Sequence, residues 1–450
     1  MEPIHGFNFI KLDFDAKGAL EKQAQLDELL REAANATDVV FIAHGFRNNE
    51  QDATGWYTKF LETFQANAAR EEFKNNLDQR KWLVAGVYWP SKALPEGPSG
   101  DGTAQSLDDE TVQEQIIRAQ LDDLKSSLAD AGAKAKVEEA IALLPQLGND
   151  NAAQNQFVDK LLSVAQGESA DENEGLTFIR SLDGTEVLDR LSARRRRRQV
   201  ETADEGSGMA VAAAPAPSDE EGATQGLGTF FGGLFGKVGK LINLTTWYVM
   251  KDRAGLVGLN GCAKAVRELK KKHPNVRVHL VGHSLGGRLM AACAKALGES
   301  PIAQPDSLTL LQAAFSHYGF SKAKEKRGEG FFRVVMEKRV VKGPLVATFS
   351  SLDSVVGTVY STASMLARDN TQKFGDKNSQ FGGIGANGAQ DMDAAEVLTE
   401  TLHAAGTPYP NMAKTGLVLC LDGSDNLITS HGDITNPNVT YAFASAVART

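Results

Sequence analysis

The chain has 450 residues, of which 42% are hydrophobic and 23% are charged, so it holds enough apolar side chains to build a full core. It carries 48 Lys and Arg against 57 Asp and Glu, a net charge of −9. This balance argues against a dedicated nucleic-acid-binding protein, because contacts to backbone phosphates need a basic face. The 3 cysteines are widely spaced and form neither a disulfide framework nor a metal-ligand pattern, and we expect no cofactor and no metal site.

Residues 1–95 alternate β-type runs with amphipathic helical runs and are predicted to form the first part of an α/β core. The strands and helices predicted there are strands Asp38–Ala43 and Trp82–Trp89 and helices Leu20–Ala34 and Ala53–Ala68. The N-terminus lacks a basic stretch followed by an apolar run, and no stretch of about 18 uncharged apolar residues occurs. We therefore expect a cytoplasmic protein without a signal peptide or transmembrane helix, although a leaderless secretion route would leave no such trace.

The middle of the chain breaks this alternation. Residues 96–190 are rich in Ala, Leu, Gln, Asp and Glu with helical periodicity, which predicts a helical insertion with an acidic surface. Residues 191–225 hold the run Arg194–Arg198 and an Ala- and Pro-rich segment, and they predict a disordered linker rather than a nuclear or nucleic-acid-binding signal.

Residues 226–250 predict an amphipathic, Gly-rich helix. We expect this helix to pack on the core, the alternative being a lid or a peripheral membrane contact through residues 226–242.

Strands and helices alternate again in residues 251–450, the predicted second part of the core. The predicted strands are Val276–Val281, Ser307–Ala313, Pro344–Phe349 and Gly416–Leu421. The predicted helices are Gly258–Lys272, Gly286–Leu297, Phe331–Val340, Ser354–Arg368, Asp393–Ala404 and Val439–Val447. Repeated βα units predict an α/β fold with a mainly parallel sheet and helices on both faces.

The strongest local feature is the sequence Gly282-His-Ser-Leu-Gly286. A G-x-S-x-G match is weak alone, but here an apolar strand precedes it and an Ala-rich helix follows it. A serine on such a tight strand-to-helix turn adopts a strained backbone, so the residues two positions on either side must be small. The turn predicts Ser284 as a nucleophile, with the backbone N–H of Leu285 as a donor to an oxyanion.

A serine nucleophile needs a general base, and in folds with this kind of turn the histidine follows the serine in the chain. His317, His403 and His431 are the candidates. His403 lies in an apparent helix, and no acid-bearing strand separates His317 from Ser284. His431 lies in a polar loop after the last predicted strand, where a base can reach both nucleophile and leaving group, and we assign it as the base.

The acid that orients the base is predicted to be Asp353, which comes just after the strand Pro344–Phe349. Asp422 and Asp425, which follow the last strand, are alternatives. Asp353 also has a purely structural interpretation as the N-cap of the following helix.

A second oxyanion donor is predicted after the strand Asp38–Ala43. Gly45 allows a turn that aims the Phe46 N–H inward, beside that of Leu285. His44 precedes the nucleophile and is expected to be a structural hydrogen-bonding residue rather than a base.

In this combination the chain resembles the α/β-hydrolase superfamily, over about residues 1–95 and 250–450. The residues that carry the resemblance are the elbow Gly282–Gly286, the turn His44–Phe46, Asp353 and the loop His431–Gly432. Residues 43–50 and 87–91 look like segments of poorly characterised bacterial lipase/esterase-like hydrolases. Many lipases of the family insert a lid after the nucleophile, whereas here the large insertion precedes it.

The resemblance implies ester, thioester or amide chemistry. The leading hypothesis is a metal-free serine esterase or lipase acting on a small-molecule or lipid ester through Ser284, His431 and Asp353. The alternatives are a peptidase, thioesterase or acyltransferase using the same three residues, and a non-catalytic interaction protein on a hydrolase scaffold. The sequence leaves the oligomeric state and the acyl-chain length open.

Overall fold

An eight-stranded sheet forms the centre of the computed structural model, which describes residues 3–91, 110–165, 176–192, 233–324, 327–356 and 381–450. The strands β1 to β8 are Asn8–Asp13, Asp38–Ala43, Trp82–Tyr88, Arg277–His283, Ser307–Leu311, Leu345–Phe349, Val397–Thr401 and Val418–Asp422. They lie in the order β1-β3-β2-β4-β5-β6-β8-β7, and every pairing is parallel.

Helices surround this sheet. The helices α1 to α14 are Gln23–Glu32, Glu50–Ala68, Glu71–Leu77, Glu110–Ser127, Ala131–Leu143, Asn151–Val164, Leu176–Arg180, Gly184–Ser192, Gly233–Leu256, Ala263–Lys272, Leu285–Leu297, Arg333–Glu337, Ile384–Asn387 and Pro437–Val447. A π-helical stretch, Val257–Cys262, joins α9 to α10.

Both faces of the sheet are buried, which explains why its central strands are nearly continuous apolar runs. All positions of β2 and β5 are buried. Side chains of alternate residues enter two separate apolar clusters, one packed with α9, α10 and α11 and the other with α2, α3 and α14. A parallel strand buried on both sides cannot alternate apolar and polar residues. The predicted parallel sheet covered on both faces is confirmed.

The predicted insertion contains helices α4 to α8, and their apolar side chains belong to the same cluster as one face of the sheet. The long helix α9 packs against α4, α6 and α8 on one side and α11 on the other. Arg253 of α9 donates to the backbone oxygens of Pro90, after β3, and Ser127, at the end of α4. These contacts join the inserted helices to the sheet.

The helix predicted in residues 226–250 is present as α9 from Gly233 onward. Phe235, Val238, Leu241 and Ile242 are buried, so these side chains are not presented to a lipid surface. Residues 226–232 and most of the predicted linker, from residue 193, lie outside the described part of the chain, as does the predicted helix Ser354–Arg368 beyond residue 356.

The predicted helix Asp393–Ala404 is wrong. Its centre, Val397–Thr401, is the edge strand β7, paired with β8 on one side. Val, Thr and Thr at alternate positions favour an extended chain, and this β pattern outweighs the helix-forming Ala and Glu residues around it. The predicted helix Phe331–Val340 is shorter, since only Arg333–Glu337 is helical.

Candidate active site

Five neighbouring strands end at one place on the sheet. Strands β2, β4, β5, β6 and β8 lie side by side and run parallel, so the loops that follow them share the carboxyl edge. Gly45 follows β2, Ser284 follows β4, Asp353 follows β6 and His431 follows β8. Residues far apart in the chain are therefore brought to one edge, where open parallel sheets place their sites.

Ser284 occupies the single-residue junction between β4 and α11. Its backbone has φ 57° and ψ −125°, a conformation rarely adopted by residues other than glycine. A Cβ on Gly282 would lie 2.2 Å from the oxygen of Gly286, and a Cβ on Gly286 would lie 2.3 Å from the oxygen of Ala43. Both flanking glycines are required because backbone passes directly over them.

Hydrogen bonds hold this turn in its strained form. The Ser284 N–H donates to the oxygen of Leu311, and the Ser284 oxygen accepts from the N–H groups of Gly287 and Ala314. Leu285 is the first residue of α11, so its own N–H has no acceptor within the helix. The helix N-terminus therefore points a partial positive charge at the serine.

The turn after β2 lies against the Ser284 turn. A Cβ on Gly45 would lie 2.8 Å from Ser284 Cβ, so only glycine permits this approach. The next residue, Phe46, packs edge-on against Trp247 of α9, with ring centroids 6.2 Å apart. The turn His44–Phe46, the proposed oxyanion turn, thus lies between Ser284 and the long helix α9.

The His44 ring stabilises this turn through two hydrogen bonds. Its Nδ1 hydrogen bonds to the Gly45 oxygen at 3.0 Å, and its Nε2 accepts from the Trp89 N–H at 3.4 Å. Burial lowers the pKa of His44 to about 4, because the charged imidazolium would be desolvated. His44 is a neutral structural residue in this geometry.

His431 and Asp353 form a hydrogen-bonded pair, with Nδ1 of His431 2.8 Å from Oδ2 of Asp353. Asp353 is fully buried. Its other oxygen, Oδ1, accepts from the N–H groups of Val355 and Val356. One carboxylate oxygen of Asp353 therefore makes the contacts of a helix cap, and the other makes the contact to His431.

The histidine that precedes Ser284 links the Ser284 turn to the His431 loop. The His283 ring packs on the His431 ring with centroids 4.6 Å apart, and its Nε2 donates to the His431 oxygen at 2.9 Å. Burial holds the pKa of His283 well below its usual value, so this ring is a neutral donor. Ser284 Oγ and His431 Nε2, both in the described part of the chain, are not hydrogen bonded to each other. Such bonds often form only when substrate is bound.

The alternative residues lie in other surroundings. Asp422 accepts from the N–H and the hydroxyl of Ser424, and Asp425 is exposed. His317 is buried with its Nδ1 3.1 Å from the amide of Asn387. His403, expected in a helix, instead follows β7 and stacks on Tyr409 with ring centroids 4.4 Å apart.

Sequence reasoning missed one residue at this edge. Gln312 follows β5 directly, and its Nε2 lies 3.0 Å from Oδ2 of Asp353 and 3.0 Å from the oxygen of Ser430. The available signal was its position, a polar residue at the carboxyl end of an apolar strand.

Metal clusters and membrane-spanning helices can be assessed only over the described residues. These residues contain no group of three or more His, Cys, Asp or Glu side chains that could hold a metal ion. Within the same ranges no helix has both the length and the apolar content needed to cross a membrane.

Comparison with known proteins gives one match. The family model for lipase (class 3) matches residues 240–343, a segment that includes Ser284 but neither Asp353 nor His431. No curated protein and no solved structure matches the chain significantly. Class 3 lipases belong to the α/β-hydrolase superfamily, and the parallel sheet with helices around it is consistent with the α/β-hydrolase fold.

Proposed function

We propose that the chain is a serine hydrolase that cleaves carboxylic esters through Ser284, His431 and Asp353. The observation that carries the proposal is the position of the strained Ser284 turn beside the hydrogen-bonded pair of a partly exposed His431 and a buried Asp353, at the edge where five parallel strands end. An ester substrate, including a lipid ester, is favoured because the segment that holds Ser284 is similar to class 3 lipases.

The reaction would begin with attack of Ser284 Oγ on the ester carbonyl carbon while Nε2 of His431 takes the hydroxyl proton. Asp353 would keep the His431 Nδ1–H in place and stabilise the imidazolium that forms. The N–H groups of Phe46 and Leu285 would donate to the tetrahedral oxyanion. The imidazolium would then protonate the leaving alcohol, and a water activated by His431 would release the carboxylic acid from Ser284.

We also propose that residues 96–249 control access to the site rather than its chemistry, since every proposed catalytic residue lies outside them. Helix α9 reaches the oxyanion turn through two contacts, Trp247 on Phe46 and the amide oxygen of Asn243 on the Arg47 guanidinium at 3.2 Å. A change in this helix should therefore alter which substrates fit.

A substrate panel tests the proposed function. Purified protein is assayed with p-nitrophenyl esters of rising chain length, with matched p-nitroanilides and with acyl thioesters. We expect esters to have the highest kcat/KM, Ser284→Ala to abolish turnover, and Trp247→Leu to change the preferred chain length. Preference for amides or thioesters would support a peptidase or thioesterase. Equal turnover by Ser284→Ala would overturn the serine mechanism, and binding of a partner without any turnover would favour an interaction protein.

A further inference from the structure

We propose that Gln312 is a positioning residue that holds the acid and the base of the proposed active site in register, an inference that rests on the proposed function. Gln312 is the first residue after β5, the strand between the nucleophile strand β4 and the acid strand β6. Of the five strands that end at the site, β5 is the one whose loop supplies none of the proposed catalytic or oxyanion residues.

The two contacts of the Gln312 amide join two separate loops. One N–H of Nε2 donates to Oδ2 of Asp353, the oxygen that also accepts from His431. The other N–H donates to the backbone oxygen of Ser430, the residue before His431. The reverse amide orientation would place Oε1 against two acceptors, a carboxylate and a carbonyl, so the donor assignment follows from chemistry.

The buried position of Gln312 lowers the stability of the fold. It is fully buried, and its Oε1 has no hydrogen-bond partner among the residues that the structure describes. A buried polar atom without a partner opposes folding. A leucine would fill similar space without that cost, so burial alone does not explain the glutamine.

The backbone of Gln312 is strained as well, with φ 42°. Its backbone N–H donates to both the backbone oxygen and the hydroxyl of Thr348, each at 3.2 Å. Gly385 packs so closely that a Cβ there would lie 2.5 Å from the Gln312 carbonyl carbon. Strain that the surroundings maintain in this way is concentrated at functional sites.

These contacts fix the rotation of the Asp353 carboxylate. The helix N–H groups of Val355 and Val356 hold Oδ1, and Gln312 holds Oδ2 facing the His431 ring. The bond to Ser430 fixes the start of the base loop relative to the acid. Without Gln312, the ring that must transfer a proton would be less well aligned, whereas substrate binding would be little affected because Gln312 is buried away from solvent.

Kinetics of Gln312 variants test this role with p-nitrophenyl butyrate, well below the unfolding temperature. We expect Gln312→Leu to lower kcat by about 100-fold, with KM changed by less than about 2-fold, as a small misalignment of reacting groups does. Gln304→Leu is the matched control, because Gln304 precedes β5 at the opposite edge and its side-chain amide donates to the Arg339 oxygen, away from the proposed site. That control should keep the wild-type kcat.

In the isosteric variant Gln312→Glu, the pH dependence of kcat distinguishes a positioning role from a purely structural one. The introduced carboxyl can donate to Asp353 only when it is protonated, so the loss of kcat relative to wild type should be smaller at pH 6 than at pH 8.5. If Gln312→Leu does not fold, the pH dependence of kcat in Gln312→Glu tests the positioning role instead.

Wild-type kcat in folded Gln312→Leu, or a pH-independent ratio of wild type to Gln312→Glu, would overturn the inference. The proposed function would survive either result provided that Ser284→Ala is inactive in the same assay. Activity of Ser284→Ala would instead overturn the proposed function and, with it, the role of Gln312.

Discussion

Single residues at the site carry strain that the rest of the molecule maintains. Ser284 has φ 57° between β4 and α11, and Gln312 has φ 42° after β5. Backbone in such regions costs about 1–3 kcal/mol per residue. Both residues lie at the edge where the proposed chemistry would occur, which supports the proposed site.

Glycine at position 284 should relieve this strain. At ordinary positions glycine is less stable than alanine by up to about 1 kcal/mol, because it loses more backbone freedom on folding. At Ser284 we expect the order to reverse, with Ser284→Gly more stable than Ser284→Ala by about 1 kcal/mol. Urea unfolding of the two variants measures the difference, and a less stable glycine variant would contradict a strained native turn.

The choice of acid can be tested at two residues. Asp353→Asn should lower kcat by about 10³–10⁴-fold, because an amide N–H would face the His431 Nδ1–H and disfavour the productive tautomer. Asp422→Asn keeps an oxygen for Ser424 and should change kcat by only a few-fold. The opposite ranking in steady-state assays would assign the acid to Asp422.

Some of these residues can be identified as site candidates from the sequence, and others cannot. Ser284 has a local signal, since its glycines and the strand and helix around it are all nearby in the chain. The position of Gln312 depends on β5 lying between β4 and β6, and glutamine has no reactive group to mark it. Strand order is a property of the folded sheet, so the position of this glutamine after an apolar strand is not enough to assign it from sequence.

At the scale of elements, the site depends on close contact between the start of α11 and the end of β2. A Cβ on Gly286 would lie 2.3 Å from the oxygen of Ala43 and 2.4 Å from that of His44. By contrast, Gly55 lies exposed within α2, and a Cβ added there would have no atom of the described residues within 4 Å. The same substitution should have opposite effects at the two glycines.

Gly286→Ala should therefore destabilise the protein and reduce esterase activity, because the oxyanion turn must move away from Ser284. Gly55→Ala should raise the free energy of unfolding by about 0.5–1 kcal/mol through helix propensity and leave activity unchanged. Thermal unfolding and ester hydrolysis measure both. A harmless Gly286→Ala would mean that the two turns are not in tight contact.

The sequence predicts most elements of the core because buried parallel strands are short apolar runs with helices between them. It fails at β7, where Val397–Thr401 lies at the sheet edge and is only partly buried. An edge strand has weaker apolar patterning, and its pairing with β8 is decided by the tertiary structure.

At the scale of the whole molecule, both edges of the sheet carry Ser, His and Asp residues. At the amino edge, His279 lies 3.0 Å from Asp38 and 2.8 Å from the Ser307 hydroxyl, and Arg80 pairs with Asp38 at 2.8 Å. Asp38, His279 and Ser307 are fully buried, so no substrate reaches them. This set ties together β2, β4 and β5, and among the described residues the serine with positive φ, Ser284, lies at the carboxyl edge.

Buried neutral histidines should make the protein less stable in acid. Burial lowers the pKa of His44 to about 4 and also lowers the pKa values of His279 and His283. Histidines of the unfolded chain become protonated as the pH falls to about 6.5, whereas these histidines of the folded protein become protonated only at lower pH. The free energy of unfolding therefore has its full value above pH 6.5 and decreases as the pH falls toward 4. His44 alone would account for about 3 kcal/mol of this loss.

Urea unfolding between pH 7 and pH 4.5 measures this dependence. His44→Gln should reduce the slope of unfolding free energy against pH by up to about 1.4 kcal/mol per unit, since one titrating group is removed. An unchanged slope would show that His44 titrates alike in the folded and unfolded chains.

Mapping of a fluorophosphonate adduct tests whether Ser284 is the nucleophile. The probe reacts with a serine only where a base and an oxyanion site activate it, and peptide mass spectrometry identifies the labelled residue. We predict a single adduct on Ser284, no labelling of Ser284→Ala and strongly slowed labelling of His431→Ala. Equal labelling of wild type and Ser284→Ala, or an adduct on a different serine, would contradict the assignment of this edge of the sheet as the active site.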